Sequence, residues 1–313
     1  MKDSICIATF ISGKEHFDYR FVNLVDYIRN NLNNEVQVII YADSAIVGLP
    51  DFYDEIITPH YTKYKRIQDL LQRARANKIF CIDSDISIYY ESYERFVIAC
   101  IEGSYALAWG KIKSVFQHNI VSALICIDKL ISHNWIRPFL WSHHIGVSLP
   151  GQVFMIDKSY FMDNLEISDT VFDDLTLGIV SQIYHFPVYY SNLILGCEKP
   201  KSTFKGLIEQ RQRWAKGYAE SLCFYKKSSV FHLVLLHGVA YHMLWIPLGL
   251  LFISLAFYDT VVAFAAFLIL SFIIAEMKLS KTLFVMLYFL CFPFLHLVWL
   301  KEVVINYQKL KNC

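Results

Sequence analysis

The chain has 313 residues, 55% of them hydrophobic, with 29 Lys and Arg against 28 Asp and Glu and a formal net charge of +1. So apolar a composition excludes an ordinary soluble domain throughout, and so balanced a charge excludes a general nucleic-acid binder. The eight cysteines have no C-x-x-C spacing and read as scattered reduced thiols rather than a disulfide framework.

The N-terminal stretch MKDSICIATFISGKEHF has a short apolar run with charges close on both sides. That is a poor signal peptide, so the polar part of the chain is expected to stay in the cytoplasm. Residues 4–11 form the first expected strand, and Phe21, Leu24, Val25, Ile28 and Leu32 follow at helical spacing. A second strand over 36–41 runs into Ala42-Asp43-Ser44, and 55–57 suggests a short third. Ile67, Leu70, Leu71 and Ala74 make another helical stripe before KIFCI, a strand that ends at Asp83. A further helix is expected over 175–185. Strands alternating with helices across short connections predict βαβ units and a parallel sheet. Ligands of such sheets bind beyond the carboxyl ends of the strands, which directs attention to Asp43 and to Asp83-Ser84-Asp85.

The apolar excess is local. Residues 229–258, 260–275 and 282–300 contain no Asp, Glu, Lys or Arg. Against the roughly 17–25 residues of a membrane-crossing helix, these predict three segments, the middle one marginal. The expected organisation is a cytoplasmic α/β domain over 1–228, a membrane region of two to three helices over 229–300 and a basic tail over 301–313. Lys278 and Lys281 before the last segment, and Lys301, Lys309 and Lys311 after it, all favour the cytoplasmic side. Three full crossings do not satisfy both groups. Either Pro293 breaks the last segment or the middle one does not cross.

Several side chains carry chemistry. Asp83 and Asp85, at alternate positions beyond a strand, suit a hard divalent cation completed by phosphate oxygens and water, although D-x-D also occurs in ordinary loops. Asp43 suits an Asx cap or hydrogen bonds to a base or ribose. Asp173 and Asp174 read as helix-capping acids or as a catalytic base. In LIEQRQRWAKGY (207–218), Gln210, Arg213 and Trp214 fall at i, i+3 and i+4 on one helical face. An arginine fork beside an indole plate suits a phosphate and a sugar ring; Trp, Arg and Lys equally suit a membrane interface. His143 with His144, and His232, His237 and His242, receive no role, because neither spacing brings the rings together on one face.

In this order and spacing the pieces resemble the membrane-embedded family-2 glycosyltransferases with a GT-A fold, the group that holds cellulose, chitin and hyaluronan synthases. The resemblance implies an α/β, GT-A-type (Rossmann-like) nucleotide-sugar-binding domain followed by C-terminal transmembrane helices. It implies that Asp43 meets uracil and that Lys63 or Lys65 lies on the diphosphate side. Asp83 would lie near the ribose and, with Asp85, near a Mg²⁺ or Mn²⁺ ion. PGQVFMIDKSYF would border the acceptor, Asp174 after Asp173 would be the general base, Arg213 would meet the diphosphate, and Gln210 and Trp214 the acceptor sugar. The implied activity is inverting transfer from a UDP-sugar to a saccharide or lipid-linked acceptor. The implied setting is the plasma (inner) membrane, multi-pass, with the lipid bilayer and other membrane or export subunits as partners.

The sequence also departs from the family pattern. ATFISGKEHF replaces a Pro-x-Tyr-Asn turn, ADSA replaces a double Asp, Phe172-Asp173 replaces Thr-Glu, and no span precedes the catalytic domain. The small apolar region favours the alternative of single-sugar transfer to a lipid carrier, whereas Q-x-x-R-W favours chain growth. The lost Thr-Glu suits a third reading, a nucleotide-sugar-binding subunit without catalysis.

Overall fold

The computed structural model describes residues 4–11, 18–32, 34–46, 49, 51–165, 173–243 and 245–311. Most of the ATFISGKEHF loop, Phe172 and Cys313 lie outside the described residues. In chain order the elements begin with β1 (Ser4–Phe10), α1 (Arg20–Asn31), β2 (Glu35–Ala42), β3 (Asp54–Ile57), α2 (Lys63–Arg73), β4 (Lys78–Asp83) and β5 (Ser87–Ile88). Then come α3 (Tyr90–Glu102), β6 (Leu107–Ser114), α4 (Ile120–Ile131), a π-helical turn (Ser132–Ile136), α5 (Arg137–Ser142), β7 (Val153–Asp157) and α6 (Lys158–Phe161). The chain closes with α7 (Asp173–Ile183), β8 (Val188–Glu198), α8 (Phe204–Phe224), α9 (Phe231–Met243), α10 (Trp245–Tyr258), α11 (Thr260–Ile274) and α12 (Leu279–Lys311). Two compact units result, Met1–Lys113 with Val147–Lys199, and Ser114–Gly146 with Pro200–Cys313.

The first unit is built on an 8-stranded sheet in the order β3-β2-β1-β4-β7-β6-β8-β5. β1 pairs parallel with β2 and β4, and β2 with β3. The expected parallel sheet is therefore present as one half of a mixed sheet, because β7 returns antiparallel to both β4 and β6, and β8 antiparallel to β5. Register brings the strand ends level: Phe10 lies opposite Tyr41 on one side and Asp83 on the other. Burial explains the nearly continuous apolar runs, since residues 5–10 of β1 are buried whichever face they point to. The expected stripes lie inward, with Phe21, Leu24, Val25 and Ile28 buried on α1 and Ile67, Leu70 and Leu71 on α2. Each such aliphatic side chain contributes roughly 1.5–3 kcal/mol when fully buried.

The second unit is helical. α4, α8, α11 and α12 share a core that includes Val121, Leu124, Leu207, Ile274, Val285 and Phe292. α12 is one 33-residue helix that contains Pro293, so the proline does not end it. Its Lys281–Lys311 portion is long and apolar enough to cross a membrane. Residues 229–258, expected as one span, form two helices that meet at a 41° bend and count as a second span only if taken together. α11 has 15 residues, short of the roughly 20 a crossing requires. Cys6, Cys81, Cys100, Cys126, Cys197, Cys223 and Cys291 are free thiols, in line with their scattered spacing.

Candidate active site

Asp43 and Asp83 stand at the level ends of β2 and β4. β4 runs out at Asp83, whose backbone N–H donates to the Gln152 carbonyl at 2.8 Å. That bond is the last rung before the antiparallel β4–β7 ladder opens, and it holds Gly151 beside the strand end. Asp85 lies two residues on, exposed on the turn that leads to β5.

α2 delivers the cation. Its N-cap Thr62 accepts from the Lys65 N–H at 3.2 Å, which fixes the first turn. Lys63 Nζ then stands 2.6 Å from Asp83 Oδ1 and 3.2 Å from Asp173 Oδ2, and donates to the Gly151 carbonyl at 2.5 Å. The Phe10 and Phe154 rings flank it, each centred 5.5 Å away. Burial opposes the charge on Lys63, but Asp173 and Asp83 outweigh it and hold the ammonium above the ordinary lysine range. The sequence left Lys63 and Lys65 as equal choices. The structure joins Lys63 to the acids and puts Lys65 Nζ 5.9 Å from the Tyr61 ring centre.

α7 delivers the other acids, Asp173 and Asp174, in its first turn. Glycines allow its approach: a Cβ on Gly178 would lie 2.2 Å from the Val147 carbonyl oxygen, and one on Gly151 would lie 3.0 Å from Asp174 Cβ. Gly151 thus touches Lys63 through its carbonyl and Asp174 through its bare Cα. Asp174 Oδ1 also accepts from the Leu175 N–H at 2.9 Å.

One ammonium serves two carboxylates, with Asp85 close by, so negative charge is in surplus. Asp83 shows it: burial first, then Asp173 and Asp85, push its carboxyl up to about 7 against the pull of Lys63. A surplus of hard carboxylate oxygens is the donor chemistry that Mg²⁺ or Mn²⁺ takes. Among the described residues no cluster of three or more His, Cys, Asp or Glu forms a cage. The fit is therefore to an ion held by one or two carboxylates, with the remaining ligands from a phosphate and water.

Asp43 follows β2 and is bound by Arg66 Nη2. Arg66 is 1% exposed and also donates to the Ile11 and Thr58 carbonyls at 2.8 and 2.9 Å. Sequence reading missed Arg66, although a basic residue inside the stripe of Ile67, Leu70 and Ala74 signals a buried charge that needs a partner. It also missed a cavity of about 110 Å³ lined by Asp18, Arg20, Ser84, Ser87 and Tyr90 together with Asp83.

In the second unit, α8 carries the tryptophan motif. Gln210 and Trp214 are half-buried and Arg213 is exposed. The buried arginine is Arg211, whose Nη2 donates to Asp128 Oδ2 at 2.5 Å and whose guanidinium carbon lies 4.4 Å from the Trp214 ring centre. Elsewhere in this unit His242 and His296, both buried, share a 3.1 Å Nδ1···Nδ1 hydrogen bond.

Comparison with known proteins gives the arrangement a context. A family profile described as "Glycosyl transferase family group 2" matches residues 78–298. The structure resembles the mannosyltransferase PcManGT from Pyrobaculum calidifontis, solved with GDP-Man and Mn²⁺, with a TM-score of 0.57 at 11% identity over 98% of this chain and 87% of that one. It resembles S. aureus TarS 1–349 with a TM-score of 0.50 at 10% identity, over 99% of this chain and 90% of that one. At such identities the likeness concerns the fold alone, a mixed α/β sheet of the GT-A kind. No curated protein matches the chain in sequence.

Proposed function

Because this chain belongs to glycosyl transferase family group 2, we propose that it moves a sugar from a UDP-sugar to the hydroxyl of a saccharide or lipid-linked acceptor, with inversion at the anomeric carbon. The observation that carries this reading is the meeting at Lys63 of Asp83, Asp173 and Gly151, with Asp174 packed against Gly151. These residues come from four separate segments and converge where the strands end.

The donor lies across the ends of β1, β2 and β4. Asp43, braced by Arg66, accepts from the uracil edge, and the cavity beside Asp83 and Ser84 receives the ribose. Mg²⁺ or Mn²⁺, held by Asp85 with Asp83, supplies Lewis-acid neutralisation of the leaving diphosphate when bound. Lys63 adds a fixed positive charge on that side. Asp173 holds the ammonium. Asp174 accepts the proton of the attacking hydroxyl, a role worth ~10²–10⁴-fold when the base is well placed. Arg213, exposed on α8, provides a second cation for the diphosphate, and Gln210 and Trp214 contact the acceptor sugar.

The apolar helices of the second unit dock on or cross the plasma membrane. Tyr258, 92% exposed, supports this, because tyrosines collect at membrane interfaces. Among the described residues one helix is long enough to span, or two counting the bent pair, and so small an apolar region favours transfer to a lipid-borne acceptor over secretion of a polymer.

The test offers a panel of radiolabelled UDP-sugars, and GDP-sugars beside them, to membranes carrying the protein, with and without EDTA. Release of UDP from one donor, lost with EDTA and lost in Asp174→Asn, is the expected result. Release from GDP-sugars only would remove the uracil assignment, and release from none would remove the transferase reading altogether.

A further inference from the structure

Arg211 occupies the first variable position of the Q-x-x-R-W stretch, and it differs from Arg213 in burial and in partners. It is 2% exposed, against the exposed Arg213 two positions on. Its Nη2 donates to one oxygen of Asp128 at 2.5 Å, and the Tyr288 hydroxyl donates to the other at 2.9 Å. The carboxylate of α4 is thus gripped from α8 and from α12. Among the described residues, Nε and Nη1 of Arg211 have no hydrogen-bond partner. The guanidinium instead lies 4.4 Å from the Trp214 ring centre, one helical turn away, and 5.3 Å from that of Phe292. A buried guanidinium with one ion pair is costly to keep; flat aromatic faces are what its unbonded plane can still use.

The consequence falls on Trp214. An indole on a half-buried helical position has several staggered orientations open to it. A rigid planar cation across one of its faces, itself levelled by Asp128 and Tyr288, selects among them. We infer that Arg211 is a positioning residue for the acceptor: it orients the Trp214 indole so that the ring surface away from the guanidinium meets the acceptor sugar. The inference rests on the acceptor role given to Trp214 above. It assigns to the Asp128–Arg211–Tyr288 chain a function in transfer, beyond joining three helices.

The experiment uses the full chain in membranes and the UDP-sugar that gives the largest UDP release. Two products are counted: free sugar, from donor hydrolysis, and sugar carried into acceptor. Arg211→Lys keeps the charge and the reach to Asp128 but loses the plane that stacks. It is expected to lower transfer about tenfold, as small misplacements in an active site do, while hydrolysis stays within about twofold. Trp214→Ala is expected to lower transfer similarly, and the double variant to lose little more than either alone. Tyr288→Phe, which removes one hydroxyl and leaves the ion pair, is expected to lower transfer about twofold to threefold with hydrolysis unchanged. Equal loss of transfer and hydrolysis in Arg211→Lys, which a merely structural role gives, would overturn the inference. So would unaltered transfer, or effects of Arg211→Lys and Trp214→Ala that multiply. If Arg211→Lys does not fold, Tyr288→Phe decides alone: a split upholds the inference and unaltered transfer sinks it. A wild-type chain that hydrolyses donor normally while Arg211→Lys transfers normally removes this inference only; a wild-type chain inactive on every donor removes the reading beneath it.

Discussion

The two units handle buried charge in opposite ways. In the sheet unit a single ammonium, Lys63, faces Asp83 and Asp173 at 2.6 and 3.2 Å, and Asp83 is pushed up to about 7. The account is left open by at least one negative charge. In the helical unit Arg211 meets one carboxylate, Asp128, and the remainder of its surface is taken by aromatic rings. That account is closed. The difference teaches how to separate a site from a staple: burial and short contacts are common to both, whereas an unbalanced sum of charge is kept where a further cation or a reacting group completes it.

The sharpest way to break the comparison is Asp174→Asn. Transfer should fall ~10²–10⁴-fold with UDP affinity largely retained, because the base does not hold the nucleotide; isothermal titration beside a transfer assay reads both. Near-normal transfer would return Asp174 to a capping role. Arg213→Ala should lower transfer roughly 10²–10³-fold if this exposed arginine meets the diphosphate, as removal of one preorganised contact to developing charge does. A loss confined to membrane association, read by flotation, would make it an interfacial anchor instead.

Smaller effects test the open account itself. Lys63→Met leaves Asp83 and Asp173 facing each other without a cation. With side chains that remain 28% and 13% exposed, it should cost about 1–3 kcal/mol of stability, less than a fully buried pair. Added Mn²⁺ should restore part of that loss by mass action; a melting temperature insensitive to Mn²⁺ would count against a metal beside these acids.

The smallest effect is on pH. In EDTA, the raised folded value of Asp83 means that between about pH 4 and pH 7 the folded chain keeps a proton that the unfolded chain has released. Stability from this group is therefore complete below about pH 4 and is lost as pH rises through about 7. Thermal melts should show a more negative slope across that window for the wild type than for Asp83→Asn. Equal slopes would mean that Asp83 is not strained by its neighbours.

Much of the first unit was legible because its signals are local. The β-branched and apolar runs predicted the four strands that pair parallel, and the stripes on α1 and α2 are the faces that became buried. Asp43, Asp83 and Asp85 could be found because acids just past strands stand out. Their partners could not. Nothing in the spacing of Lys63 and Lys65 distinguishes them; the distinction is that Lys63 heads the turn capped by Thr62 at the level of Asp83. The direction of β7 was illegible for a related reason, since a strand in PGQVFMIDKSYF reads equally in either direction, and it is β7 that carries Gly151 to the acids.

The sequence by itself determined the four parallel strands, the helices between them, the apolar character of the C-terminal helices and which acids stand at strand ends, because periodicity and side-chain polarity act within a few residues. It also carried the family, through the order of motifs that each mean little alone. Only the tertiary structure decided that Lys63 bridges Asp83 and Asp173, that Gly151 brings Asp174 beside them, and that Arg211 lies against the indole. Those outcomes depend on strand direction, on register and on which face of a helix is covered, and such choices are made by contacts between residues far apart in the chain.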